Sequence, residues 1–112
     1  MNAILISAIE KGASDVYIEP TTNELFVRYR IDGVLYNIMQ PPLKFRDAII
    51  SCIKRMARFD PERVRQQGRI DVRFRDGSAD GQLSVVVSCE PTRFGEEIRL
   101  SVLPAVAGRF SE

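Results

Sequence analysis

The chain is 112 residues long, 45% hydrophobic and 28% charged, with a net charge of +1. That length fits one domain with room for its own core, and that charge balance gives no bulk electrostatic case for nucleic-acid or membrane binding. There is no histidine, and the two cysteines, Cys52 and Cys89, are far apart; imidazole chemistry and metal-ligand spacings are absent, and a reducing cytosol is the simplest setting.

In chain order, Asn2 caps a first helix whose apolar residues Leu5, Ala8 and Ile9 fall at helical spacing, and Gly12 ends it. The short apolar N-terminus lacks the basic leader and cleavage site of a signal peptide, and no run of about 18 apolar residues exists to span a membrane. The period then changes to two. In "SDVYIEP", Val16 and Ile18 point one way and Tyr17 and Glu19 the other, and Pro20 stops the strand. "TTNE" turns the chain into residues 25–31 and 34–39, a hairpin around Asp32-Gly33. Within it Tyr29 shares its face with Val27 and Ile31, which marks it as core.

After Pro41-Pro42, "LKFRDAIISCIKRMARF" predicts an amphipathic helix of about four turns. Ile49, Ile50, Ile53, Met56 and Ala57 form its stripe, with Arg46, Lys54, Arg55 and Arg58 mostly off it. Cys52 sits among these apolar residues and reads as a buried free thiol. Asp60-Pro61 reads as a cap and turn. "GRIDVRF", "QLSVVVS" and "EEIRLSVL" each alternate as half-buried strands, joined by the turns "RDGSADG" and "CEPTRFG". The sum is an α+β two-layer sandwich: about six mainly antiparallel strands with two main helices on one face.

Catalytic chemistry is missing. There is no phosphate-cradling glycine loop, no imidazole base and no activated thiol, so the chain by itself is not expected to be an enzyme. Binding is better supported. Arg28 and Arg30 stand at i and i+2 on one sheet face, and Arg69 opens a later strand after Gly68. Guanidinium forks match phosphate oxygens, so these side chains suit an anion. The competing reading pairs them with Asp15, Glu19 or Asp32 as surface ion pairs of small energy. Residues 44–75 hold ten Lys/Arg against four acids, a basic segment that suits either a docking face or a solvated helix. Aromatic rings do not interleave with these cations as a base-stacking surface requires.

Several stretches in order carry a resemblance: "AIEKGASDVYIEP" (8–20), "VRYRIDGVL" (27–35), "MARFD" (56–60), "QQGRI" (66–70), "VVS" (86–88) and "PTRFGEEIRLSVL" (91–103). Together these resemble the N-terminal regulatory subdomain of the type II secretion and type IV pilus assembly ATPases, the GspE/PulE/PilB group. The resemblance implies a PAS-like domain over residues 1–104, with 105–112 as a tail or the start of a linker. It implies a RecA-like motor domain, in the same or another chain, that holds ATP and Mg; this chain alone is expected to bind no cofactor. It implies that Arg28, Arg30 and Arg69 contact that nucleotide in trans. Implied partners are neighbouring subunits of a hexamer and inner-membrane platform proteins, with no nucleic acid and no membrane insertion. The implied location is cytoplasmic, peripheral to the bacterial inner membrane. The alternative is a free-standing adaptor that docks through the basic 44–75 face.

The sequence also departs from the family pattern. Tyr17 stands where the pattern has His, Arg65 where it has Pro and Gln67 where it has Asp. Ser84 replaces Asp, while Val86 and Ser101 each replace Arg. Losing both members of a charge pair costs less than losing one. The fold is therefore expected to survive these changes, with the nucleotide coupling altered.

Overall fold

The computed structural model describes residues 2–63, 65–76 and 79–103, without the side chains of residues 2–3, 72–76 and 79–81. Helix α1 (Asn2–Glu10) leads into β1 (Ala13–Pro20), β2 (Leu25–Ile31) and β3 (Val34–Met39). A 3-10 turn (Leu43–Phe45) and α2 (Arg46–Met56) follow, then β4 (Gln66–Asp76), β5 (Ala79–Thr92) and β6 (Gly95–Val102). All six strands form one sheet in the order β3-β2-β1-β6-β5-β4, and every neighbouring pair is antiparallel. The first and last strands meet at the centre, so the sheet closes only when the two ends of the chain come together.

Local chemistry explains the joints. Gly12 ends α1 at φ +75, and Asp32 and Gly33 both take positive φ (51 and 82), the geometry a two-residue hairpin needs to match strand twist. Arg58 holds φ +59 where glycine is usual. There the Arg58 N–H bonds back to the Arg55 carbonyl and the Phe59 N–H to the Lys54 carbonyl, a Schellman ending for α2. Asp60 accepts from the Glu62 N–H and closes the expected turn.

One face of the sheet is covered. Val16 and Ile18, Val27 and Tyr29, Val85 and Val87, and Ile98 and Leu100 form a single core with Leu5 and Ala8 of α1 and Ile50 and Ile53 of α2. This is the expected two-layer α+β sandwich. Tyr29 is fully buried and donates its hydroxyl to the Ile4 carbonyl, which pins α1.

Four details differ from expectation. The second helix is a 3-10 turn followed by eleven α-helical residues, shorter than four turns. Strand β5 runs on to Thr92, so the β5–β6 turn is only Arg93-Phe94. Pro91 sits in the next-to-last pair of that ladder, where a missing donor costs little, and Thr92 Oγ1 receives the Phe94 N–H to set the turn. The β4–β5 pairing continues to Asp76 and Ala79, further along both strands than expected; residues 77–78 lie outside the described ones. Cys89 is the buried thiol, whereas Cys52 is half-exposed. The expected cap at Asn2 rests on a side chain outside the described residues. The expected tail from residue 105 lies outside them as well.

Candidate functional site: the open face of the sheet

Strand alternation sends Tyr17, Glu19, Arg28, Arg30, Ser88, Arg69 and Arg99 to the face that no described helix covers. Register lines them up in rows across the sheet. One row reads Leu35, Arg30, Asp15, Ser101, Val86, Arg69. The next reads Asn37, Arg28, Tyr17, Arg99, Ser88, Gln67.

Arg28 and Arg30 therefore share a face, as their spacing predicts, but Arg69 does not join them. It stands four strand spacings from Arg30, about 19 Å. Each is held differently. Arg28 pairs with Glu19 at 3.2 Å and stacks 4.6 Å from the Phe26 ring centre, with its Nε buried and unpartnered among the described residues. The ion-pair reading thus holds for Arg28. Arg30 is bound to no carboxylate among the described ion pairs; it donates from Nη1 to the Gly33 carbonyl and lies 5.7 Å from the Tyr17 ring centre. The Tyr17 phenol, and then the Asp15 charge, hold Arg30 above its ordinary pKa. Arg69 is 63% exposed and donates to Ser84 Oγ, which donates in turn to Asp71.

Asp15 is the hub of the face. A bulge between Ala13 and Asp15 places Ala13 in the core and frees the Ser14 hydroxyl to donate to Asp15. Arg99 donates to Asp15 through Nε and Nη2, and Ser101 donates its hydroxyl to the same oxygen. Burial raises the Asp15 pKa, but Ser14, Ser101 and Arg99 together outweigh it and hold the carboxyl below its ordinary range. Its folded value is depressed, so its contribution to stability is complete above the unfolded carboxylate range and is lost as pH falls through the folded value. Arg99 and Ser101 point outward by simple alternation. Their partner is 84 residues or more away in sequence, so no local pattern reveals the bond.

Beside Arg99 the face dips into a cleft of about 250 Å³ that Glu19, Glu90 and Glu97 also line. Burial, with the charges of Glu19 and Glu90, pushes Glu97 above its ordinary pKa. The face is therefore mixed in charge, with cations along its Arg30 side and carboxylates at the other end.

The basic 44–75 segment does not form one face. Lys44, Arg55 and Arg58 belong to the helical layer, while Arg65 and Arg69 lie on the open sheet face, Arg65 paired with Glu90. Lys54 is not solvated but buried, with Nζ donating to Glu96 at 2.8 Å and to the Arg63 carbonyl at 2.9 Å. Cys89 donates its thiol to the same Glu96 oxygen. Burial and then Glu96 push that thiol up to about 11, which keeps it protonated and unreactive. Among the described residues no group of three or more Cys, Asp or Glu is placed to hold a metal ion, and no helix is long and apolar enough to cross a membrane.

Fold and face together define a small α+β domain with one sheet face that no described helix covers. Comparison with known proteins gives the family. The profile of the Type II/IV secretion system protein family matches residues 1–111, and the chain belongs to that family. It is 43% identical over 105 residues to the Type IV pilus assembly ATPase PilB of Myxococcus xanthus, covering 92% of this chain and 18% of that protein. It is 38% identical over 111 residues to the Type II secretion system ATPase E of Vibrio cholerae, covering 97% of this chain and 21% of that protein. The chain thus spans about a fifth of the length of these relatives. An X-ray structure of the Yersinia pseudotuberculosis ATPase DotB shares the fold, with a TM-score of 0.57 and 14% identity over 91% of this chain and 29% of that one.

Proposed function

We propose that this chain is a non-catalytic, nucleotide-contacting domain of a type II secretion or type IV pilus assembly ATPase. Its arginines reach nucleotide held by a RecA-like motor domain, in the same or another chain, where ATP and Mg reside. Neighbouring subunits and inner-membrane platform proteins are its other partners, on the cytoplasmic side. One observation carries this reading: the sheet face uncovered by any described helix bears Arg28 and Arg30 side by side, and Arg30 is in no carboxylate pair among the described residues.

Such a surface presents cations without building a pocket around them, which suits an anion bound elsewhere. Arg69, about 19 Å along the same row, serves a separate contact, because one phosphate chain cannot meet it and Arg30 together.

The test is ATP turnover in the ATPase that carries this domain. Arg30→Ala is expected to lower turnover about tenfold, the effect of one lost charged hydrogen bond, with an unchanged melting temperature. Arg28→Ala is expected to lower it less, since Glu19 already neutralises that side chain. Wild-type turnover in both variants sinks the reading.

A further inference from the structure

Strand β3 is an edge of the sheet, with β2 on one side and no described strand on the other. Natural edges are blunted by charge or proline. The other edge, β4, follows that rule with the sequence QQGRIDVRFRD. β3 reads VLYNIM, with no charge and no proline. Val34, Leu35, Tyr36 and Met39 are each between 41% and 51% exposed. Leu35 lies on the open face and Val34 and Tyr36 on the other, so an unpaired backbone carries apolar surface on both sides.

The hairpin fixes which backbone groups are left over. In a two-residue hairpin the closing pair, here Ile31 and Val34, exchanges both its hydrogen bonds, and bonded and non-bonded pairs then alternate. Tyr29 and Tyr36 are the next bonded pair, so Leu35 and Asn37 turn their N–H and C=O groups outward. Neither backbone finds another partner among the described residues. A register shift opposite Val27 and Arg28 ends the regular ladder after Asn37. The open template is therefore the stretch from Val34 to Asn37.

That stretch is complementary to itself. When two copies of β3 lie antiparallel about a two-fold axis at Tyr36, Leu35 of each copy faces Asn37 of the other. Both of these pairs then exchange their outward N–H and C=O groups. Tyr36 meets its own copy at a non-bonded pair, where side chains approach most closely and two aromatic rings pack well. An axis at Leu35 or at Asn37 forms only one such bonded pair within the stretch, so the register at Tyr36 is preferred. The strand carries no charge to oppose its copy. On the open face the nearest cations across the join are Arg30 of one copy and Arg28 of the other. They stand three strand spacings apart, about 14 Å, beyond the Debye length.

We propose that β3 pairs antiparallel with β3 of a second copy of this chain, about a two-fold axis at Tyr36, joining two sheets into one. Two such short stretches bury less than the about 1,200 Å² of a stable interface, so the contact is weak and reversible. It is independent of the nucleotide reading, which uses the open face rather than the edge.

The test is sedimentation velocity of the 112-residue chain at concentrations from about 10 μM to about 1 mM. Reversible monomer–dimer exchange is expected. Tyr36→Lys puts two like charges at the axis and is expected to weaken association at least about tenfold, with an unchanged melting temperature. Phe94→Lys, at another exposed apolar residue, on the β5–β6 turn, is expected to leave association as it is. Register is read from disulfide formation in a Cys52→Ala background. At a non-bonded pair the two Cα atoms stand about 4.5 Å apart, within disulfide reach. Tyr36→Cys is therefore expected to cross-link at least several-fold faster than Phe94→Cys. A chain that stays monomeric at about 1 mM overturns the proposal and leaves the edge to a strand of a different protein. Association unmoved by Tyr36→Lys, or cross-linking of Tyr36→Cys no faster than that of Phe94→Cys, overturns it as well.

Discussion

Glu96→Ala is expected to destabilise the domain by about 3 kcal/mol, seen as a lower urea midpoint. Glu96 accepts from Lys54 Nζ and from the Cys89 thiol, and it joins α2 to the β5–β6 hairpin. The Lys54 side chain is only 6% exposed. Without the carboxylate its ammonium keeps one partner, the Arg63 carbonyl, and remains a buried charge with no counterion. The cost lies in that stranded charge rather than in the bond itself. The double variant Lys54→Met/Glu96→Leu removes both charges and is expected to recover most of the loss. A drop under about 1 kcal/mol for Glu96→Ala would mean that water reaches the pair and screens it like a surface bridge.

Gly68→Ala is the second substitution with a large expected cost, about 2 kcal/mol. An added Cβ at residue 68 would lie 2.5 Å from Phe59 Cε1 and 3.3 Å from Cζ. The ring cannot simply step aside. Its backbone is fixed by the Schellman ending of α2, through the Phe59 N–H bond to the Lys54 carbonyl and the positive φ of Arg58. Phe59→Leu in the same chain is expected to make Gly68→Ala cheaper than it is in the wild type, a coupling that a double-mutant cycle in urea reads directly. Additive effects would show that β4 shifts instead and that the ring is not what requires glycine.

The parts of the fold that were legible are those whose cause is local. Asp32-Gly33 needs only its own two residues to turn, and the hairpin limits at Leu25–Ile31 and Val34–Met39 match the alternation read from sequence. Gly12 and the inward-facing Tyr29 follow for the same reason. What was not legible depends on contacts between distant segments. The role of Gly68 needs Phe59 to arrive from another element, and Arg99 finds Asp15 across the closure of the two chain ends.

Lys54 is an intermediate case. It stands four residues after Ile50 on the buried stripe, and Glu96 stands two residues before Ile98 on the inward side of β6. Each breaks its own apolar period with a charge of opposite sign. That combination is a readable signal for a buried pair, although the basic run around Lys54 suggests solvation instead.

The candidate site was legible in part. Arg28 and Arg30 do share the open face, because period two guarantees it. The distance to Arg69 depends on strand order, which no single strand specifies. The departures from the family pattern gain a physical meaning from the register. Tyr17, Arg65, Gln67, Ser84, Val86 and Ser101 all fall at open-face positions, while Val16, Ile18, Val85, Val87, Ile98 and Leu100 are buried on the other face. Around Asp15 the remaining polar groups still satisfy one another, since Ser101 donates where a longer cation is expected and Arg99 supplies the charge.

The central claim is that the open sheet face, rather than the helical layer, meets nucleotide-bearing protein. Ser88 lies on that face between Arg99 and Gln67, and Arg55 is exposed on the opposite layer. The decisive measurement is the maleimide labelling rate of Ser88→Cys and Arg55→Cys, each in a Cys52→Ala background of the ATPase carrying this domain. Rates are compared with and without a non-hydrolysable ATP analogue. The account predicts that the analogue slows labelling at position 88 several-fold and leaves position 55 unchanged, as expected when a binding partner covers one layer only. Protection at 55 with none at 88 would contradict it.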